Sequence, residues 1–274
     1  MPREMGSERQ LSDTYEIYAV RYACHDRPAR ENFLGGDPHD VNMPLDYYVW
    51  AIIGENRTFC VDTGFDEASA KRRSRTLITP PAEGLKAIGI EPERVGDVIV
   101  THMHYDHAGN HSLFPQAKFH LQDSEMAYCT GRYMCHPPMR HPYDPDDVTA
   151  MVRRVFQGRV QFHEGTAELA PGITIHRVGG HSNGLQVVRV RTRRGWVVLA
   201  SDATHFYANI EQLRPFPIMH SLGDVFEGYN TVKALATSPM HIIPGHDPEV
   251  LKRYPSPNEA LKGWIVRLDA PPAD

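Results

Sequence analysis

Cysteine is scarce in this chain and unpatterned: Cys24, Cys60, Cys129 and Cys135 are the only four, and no two stand in C-x-x-C spacing. Neither a disulfide framework nor a cysteine zinc site is indicated, and the four read as small hydrophobic fillers. Long apolar runs are missing too. The longest, Tyr47 to Ile53, is far short of the ~20 residues that cross a bilayer. Met1 to Glu16 is polar and mixed in charge, without the apolar stretch of a secretory signal. Nor is there an excess of positive charge: 29 Lys and Arg against 34 Asp and Glu leave a formal net charge of −5, which gives no electrostatic reason to expect a polyanion as partner. The short clusters Lys71-Arg72-Arg73 and Arg191 to Arg194 read as a solvated helix face and a hairpin turn. The expectation is a cytoplasmic protein with a small-molecule substrate and with neither nucleic acid nor membrane as partner; a homodimer stays open. No repeat or break in composition divides the chain, and 41% hydrophobic residues suffice for one sizeable core. A single domain over 1–274 is expected, its core at about 15–251 between a polar N-terminal extension and a Pro/Ala tail, Leu268 to Asp274, that frays.

What the chain does have is histidine, 16 in all, and the densest group is Thr101-His102-Met103-His104-Tyr105-Asp106-His107-Ala108-Gly109. Imidazole nitrogen and carboxylate oxygen are the ligand types that hold zinc and similar divalent ions. In an extended segment side chains at i and i+2 point the same way, so His102 and His104 can clasp one ion. Asp106 and His107, carried round the turn that Ala108-Gly109-Asn110 suggests, can face a second. The plain alternative is a histidine-rich surface loop.

Along the chain, apolar segments repeatedly stop at such residues. Tyr15 to Arg21 alternates as a strand, and Tyr47 to Gly54 with Thr58 to Val61 forms a hairpin that ends at Asp62. Asp62 either orients a metal-binding histidine or caps its own turn. The Gly-, Pro- and Asp-rich stretch Asp26 to Pro44 is a loop. Helices are expected over Ala68 to Thr76 and Pro81 to Ile88, the latter entered through Pro80-Pro81. Val95 to Val100 is a strand delivering His102 at its carboxyl end. Lys118 to Leu121 is a strand, and Asp123 is the expected N-cap of a helix reaching Cys129. Thr130 to Asp147 is irregular and rich in Pro, Met and aromatics. It is either a lid, through Tyr133, Met134, His136 and Met139, or a self-packed surface excursion. A helix over Asp146 to Phe156 precedes strands at Val160 to His163, Ile173 to Arg177, Leu185 to Arg191 and Trp196 to Ala200. His181 sits in the glycine-rich turn between the second and third of these strands. The fourth ends at Ser201-Asp202, and His241 to Ile243 runs into Pro244-Gly245-His246. Strands alternating with helices fit a layered α/β sandwich.

His102, His104, Asp106, His107, His181, Asp202 and His246 make seven candidates, too many for one tetrahedral ion and suited to two ions sharing a carboxylate. The inferred division gives His102, His104 and His181 to one ion and Asp106, His107 and His246 to the other, with Asp202 as the bridge.

This ordered set, an HxHxDH motif followed by His in a glycine-rich turn, Asp after a strand and a terminal Gly-His, resembles the metallo-β-lactamase superfamily over roughly Tyr15 to Leu251. Val61-Asp62-Thr63-Gly64 is similar to that family's early signature. The resemblance implies an αββα sandwich with metals at one edge of two sheets. Asp at position 202 is unlike the branch of antibiotic-degrading lactamases with Cys there, and His104 is unlike the flavodiiron proteins with Glu. The spacing of His181, Asp202 and His246 is most similar to the quorum-quenching N-acyl-homoserine lactonases. Those lactonases usually carry Tyr three residues after the bridging Asp; this chain has His205 there and Tyr207 two residues on.

The implied chemistry is opening of a lactone, an N-acyl-homoserine lactone being one candidate. Two divalent ions, zinc first and Fe, Mn or Co as alternatives, lower the pKa of a bridging water so that hydroxide attacks the carbonyl. Asp106 is the candidate proton shuttle, and His205 or Tyr207 the candidate oxyanion donor or general acid. His205 as a core or supporting histidine is the alternative. Met43, Tyr47, Met126, Tyr133, Met134 and Met139 are candidates to line an acyl groove. Rival readings are hydrolysis of another acyl, thioester, amide, sulfate or phosphate ester, and a ligand-binding relative without catalysis.

Overall fold

The computed structural model describes residues 14–39 and 41–273, so most of the polar extension expected at the start lies outside the described residues. In chain order the elements are β1 (Glu16–His25), β2 (Leu45–Ile53), β3 (Thr58–Val61), α1 (Glu67–Arg72), β4 (Thr76–Leu77), α2 (Pro81–Ala87), β5 (Asp97–Ile99), α3 (Tyr105–Ala108), β6 (Lys118–Gln122), α4 (Asp123–Cys129), α5 (Pro137–Arg140) and α6 (Pro145–Phe156). There follow β7 (Val160–His163), β8 (Thr166–Ala170), β9 (Ile173–Arg177), β10 (Gln186–Thr192), β11 (Gly195–Ser201), α7 (Tyr207–Glu211), α8 (Leu222–Leu235), β12 (Ile242–Pro244), α9 (Glu249–Arg253) and β13 (Ile265–Arg267). Strands β13-β1-β2-β3-β5-β6-β7, with β4 paired to β1, form one sheet, and β12-β11-β10-β9-β8 form the other.

Side-chain alternation in the strands builds the layers. In β2, Tyr48, Trp50 and Ile52 face the second sheet, where they meet Ile175, Val188, Val190 and Leu199. Tyr47, Val49 and Ala51 of the same strand face the other way, onto Ala70 of α1 and Leu85 of α2. The outer face of the second sheet, Val187, Val198 and Ala200, is covered by Val225, Tyr229 and Val232 of α8. The order is helix, sheet, sheet, helix, an αββα sandwich. Trp50, Ile52 and Val190 are fully buried between the sheets, and each such side chain contributes about 1.5–3 kcal/mol relative to exposure.

Several expected boundaries move. The helix expected over Ala68 to Thr76 stops at Arg72, because Ser74 takes a left-handed conformation (φ 55°) and the chain turns into β4, which pairs with Ala23 and Cys24. Asp123 is the first residue of α4 and not its cap, a position held by Gln122. The stretch expected to be irregular, Thr130 to Asp147, contains a 3-10 turn (Arg132–Cys135) and α5 before Asp144 caps α6 by accepting from the Asp146 N–H. Nor does the tail simply fray. Leu268 is fully buried, its N–H donates to Ile17 O (2.8 Å), and the Asp269 carboxylate accepts from Ile17 N–H (3.2 Å). The apolar core therefore runs past residue 251, through β13 to Leu268.

The carboxyl ends of β3, β5, β11 and β12 fall on one edge of the sandwich, because β3 and β5 are parallel, as are β11 and β12. That edge receives Asp62, the His102 segment, Asp202 and His246.

Candidate metal centre

Thr101 to His104 leave β5 in extended form, and Tyr105 to Ala108 then make a single helical turn, α3, that swings Asp106 and His107 back beside His102. Their ring centroids lie 4.1 Å apart for His102 and His107 and 4.4 Å apart for His102 and His104. The β9–β10 turn adds His181, the end of β11 adds Asp202 and the end of β12 adds His246. All seven are buried. His102, His104, His181 and Asp202 offer ligand atoms that all lie within 4.8 Å of one another, and so do Asp106, His107 and His246. A further set of the same compactness joins His205 to Asp202 and His246.

Asp202 stands between the groups. Its Oδ1 is 3.2 Å from His107 Nε2 and 3.0 Å from His246 Nε2; its Oδ2 is 3.1 Å from His181 Nε2 and 3.0 Å from His205 Nε2. The donor set fits divalent ions on a direct observation: His102 Nε2 and His107 Nε2 are buried without a hydrogen-bond partner. A buried polar atom left in that state costs about 1–3 kcal/mol, a cost that metal coordination removes. Burial, helped by the neighbouring histidines, holds His102 and His104 well below the usual imidazole range. Burial raises the Asp202 pKa, but His205, His246, His107 and His181 outweigh it and keep the carboxyl well below its usual range. His102 and His104 are thus held neutral, the state in which imidazole binds metal, whereas for His107 and His246 Asp202 and the other carboxylates outweigh burial and raise the pKa.

The outer nitrogens are held in place. His107 Nδ1 donates to Asp62 Oδ2 (2.7 Å), His246 Nδ1 to Asp46 O (2.9 Å) and His181 Nδ1 to Ile218 O (2.8 Å). Such bonds orient a ligating ring and raise its basicity. Asp62 also accepts from Thr101 N–H (2.7 Å) and Thr101 Oγ1 (2.8 Å), and it does so from a left-handed backbone (φ 61°). It touches His107 and is no turn cap. Ser201, which precedes Asp202, is likewise left-handed (φ 46°) and its hydroxyl meets Thr101 Oγ1 at 2.9 Å. Strained residues on both sides mark a preorganised site.

Sequence reasoning missed Glu125. Fully buried in α4, it accepts from Met103 N–H (2.9 Å), Tyr143 Oη (3.2 Å), Ser182 Oγ (2.7 Å) and Gly184 N–H (2.9 Å). One carboxylate so ties together the His102–His104 segment, the His181 turn and the segment before α6. A carboxylate in a short helix gives no local signal of these distant partners.

Gly245 is constrained by close approach. A Cβ there would lie 2.8 Å from Asp202 Oδ1 and from Ser201 O. Gly245→Val is therefore expected to displace Asp202, to lower bound metal measured by elemental analysis, and to cost about 1–3 kcal/mol in denaturant unfolding, the usual penalty of overpacking.

The cleft over these residues, about 60 Å³, is lined by Tyr47, Tyr105, Asp106, Asp202, His205, Phe216 and others. His205 is inside it, stacked on Phe216 (centroids 3.6 Å apart, planes within 6°). Tyr207 is not. Its ring belongs to the core between the sheets, under the Arg253 guanidinium (3.7 Å), so α7 turns it away from the cluster and the catalytic candidacy given to it is withdrawn. Of the lid candidates, Met139 lines an adjoining apolar cavity of about 250 Å³ with Tyr128, Pro138, Tyr143, Ile218 and Met219. Tyr133 and His136 are exposed, and Met134 packs against the core beneath; none of the three lines either cavity. The cover over the site comes from the later part of the expected lid stretch, Met139 to Tyr143, which is strapped down by Tyr105 N–H to Pro142 O (2.9 Å) and by a strand-type bridge between His104 and Tyr143.

Residues 43–256 match the model of the metallo-beta-lactamase superfamily, and the chain belongs to that superfamily. An N-acyl homoserine lactonase of Bacillus cereus is 28% identical in a 192-position alignment that covers 64% of this chain and 70% of that protein. Among solved structures, a quorum-quenching N-acyl homoserine lactone lactonase superposes with a TM-score of 0.72 at 22% identity, covering 88% of this chain and 95% of that one. AidC, a dizinc quorum-quenching lactonase in complex with a product, gives 0.67 at 16%, covering 85% and 87%. At these identities the structural likeness is one of fold, the same αββα sandwich.

Proposed function

We propose that this chain, acting as one domain, is a metal-dependent hydrolase that opens a lactone ring, with zinc as the expected metal. The observation that carries the reading is Asp202, whose two carboxylate oxygens face the two histidine groups separately. Relatives named as N-acyl homoserine lactonases support the substrate class.

His102, His104 and His181 would hold one ion and Asp106, His107 and His246 the other, with Asp202 shared. When bound, such a pair supplies a water activated at neutral pH and a Lewis acid for the carbonyl. The protein's own groups do the rest. Asp106 faces the cleft, where it can carry a proton to the departing alkoxide. Burial, against the opposing pull of Asp202, pushes His205 down to about 3. Its Nε2 stands 3.0 Å from Asp202 Oδ2, where an N–H donates to that carboxylate and positions it. The apolar cavity walled by Tyr128, Met139, Ile218 and Met219 adjoins the cleft through His104, Pro142 and His181, and would take an acyl substituent.

Purified protein should carry about two transition-metal ions per chain and release protons from lactones in a pH-indicator screen that also offers thioesters, β-lactams and phosphodiesters. Stripping the metal should abolish turnover, and Zn, Mn or Co should restore it. Metal-free protein that gains no activity on reloading, or turnover of phosphodiesters alone, would overturn the reading.

A further inference from the structure

Three arginines, Arg27, Arg73 and Arg75, line the same cleft as Asp106, Asp202 and His205. Arg73 has structural work: it donates to His141 O and Tyr143 O (3.0 Å each) and so pins the covering segment. The other two are not used up. Arg75 donates from Nε to Tyr105 Oη (3.0 Å) and from Nη1 to Arg73 O (2.6 Å), while its Nη2 makes no hydrogen bond among the described residues. No carboxylate of the described residues lies within ion-pair distance of Arg75. Arg27 donates from Nη2 to Glu31 O (2.7 Å) and is only 3.6 Å from the half-exposed Glu31 carboxylate; its Nε is buried without a partner.

These charges are close and partly desolvated. Burial lowers the Arg27 pKa against the pull of Glu31, with Arg75 adding to the lowering, whereas for Arg75 itself the lowering by burial is outweighed by Tyr47, Tyr105 and Asp106 and the pKa is raised. Neighbouring His25 is pushed down to about 4, by burial first and then by Arg75 and Arg27. Arg27 has only the half-exposed Glu31 carboxylate beside it and Arg75 has none within ion-pair distance, so both forks keep donors toward the cleft, and a guanidinium fork suits a carboxylate or phosphate. The Arg27 guanidinium lies over the Phe216 ring (5.1 Å), and Phe216 stacks on His205, which holds Asp202, so one wall joins the cationic pair to the cluster.

We propose that the substrate carries an anionic group, carboxylate or phosphate, beside the ring to be opened, and that Arg75 and Arg27 bind it. The proposal rests on the lactone-opening reading, and it separates this chain from an enzyme for neutral lactones. The apolar cavity lies on the other side of His104 and His181, so the substrate has an anionic and an apolar end.

The test compares metal-loaded wild type with Arg75→Gln, Arg75→Lys and Arg27→Gln on a γ-lactone bearing a free carboxylate and on its methyl ester. Calorimetric titrations with glutarate and with inorganic phosphate run in parallel, and metal content is measured for each variant. Wild type should favour the free carboxylate by about 20-fold in kcat/KM, through KM, and Arg75→Gln should lose most of that preference, as expected for one charge-assisted contact. Arg75→Lys should recover part of it. The Kd for glutarate or for phosphate should weaken about 20-fold in Arg75→Gln at unchanged metal content, and whichever anion weakens more identifies the group recognised. Arg27→Gln repeats both measurements should Arg75→Gln fail to fold. A wild type indifferent to the charge, or variants that keep the preference and both Kd values, would overturn the proposal. Failure to open either lactone, with anion binding still dependent on arginine, would sink the lactonase reading and leave the anion subsite standing.

Discussion

Asp202→Asn is expected to lower bound metal below two ions per chain and to cut turnover by about 10³-fold or more, the scale seen when a group essential in the transition state is removed. Only a carboxylate can present an anionic oxygen to each histidine group at once. Oδ1 serves His107 and His246 and Oδ2 serves His181 and His205, all within 3.0–3.2 Å. The amide offers one oxygen and turns N–H donors toward imidazoles that must stay free to bind metal. Elemental analysis together with initial rates checks this; a variant with a full complement of metal and near-normal rates would show that Asp202 is no bridge.

Glu125→Gln should have the largest effect on stability, about 3 kcal/mol in urea unfolding, the cost of breaking a buried, charged hydrogen-bond network. Four donors converge on this carboxylate. A glutamine amide would put an NH₂ against two of them. Gly184 packs so closely on α4 that a Cβ would lie 2.2 Å from Glu125 N, so the turn carrying His181 has no room to readjust. Loss of the network should also loosen His104 and His181, read as weaker metal retention against a chelator titration. Stability and metal retention equal to wild type would refute the bracing role of Glu125.

Part of this site was legible one residue at a time. His102, His104, Asp106 and His107 are local in sequence, and Asp202 and His246 each follow an apolar strand, so strand ends alone pointed to them. The αββα order was likewise legible through its family resemblance, while α8 and β13 escaped notice. Tyr207 misled because sequence distance from Asp202 gives no direction: α7 begins at that residue and rotates its ring into the core between the sheets. The lid was legible as a segment, with Met139 within it, but Tyr133, Met134 and His136 were misplaced for a similar reason. Composition marked Tyr133 and His136, whereas backbone pairing with Tyr105 and His104 puts Pro142 and Tyr143 over the metal residues.

The sequence by itself determined the candidate metal-type residues, since ligand chemistry and strand periodicity are properties of short segments. Only the tertiary structure decided which groups hold and select. Glu125 reaches Met103, Ser182 and Gly184 across 22, 57 and 59 residues, Thr101 reaches Asp62 and Ser201 across 39 and 100, and Arg27 and Arg75 line the cleft of Asp202 and His205 from other parts of the chain. A buried hydrogen bond or an unpaired charge is defined by what folding brings beside it and leaves no trace in its own neighbours along the chain.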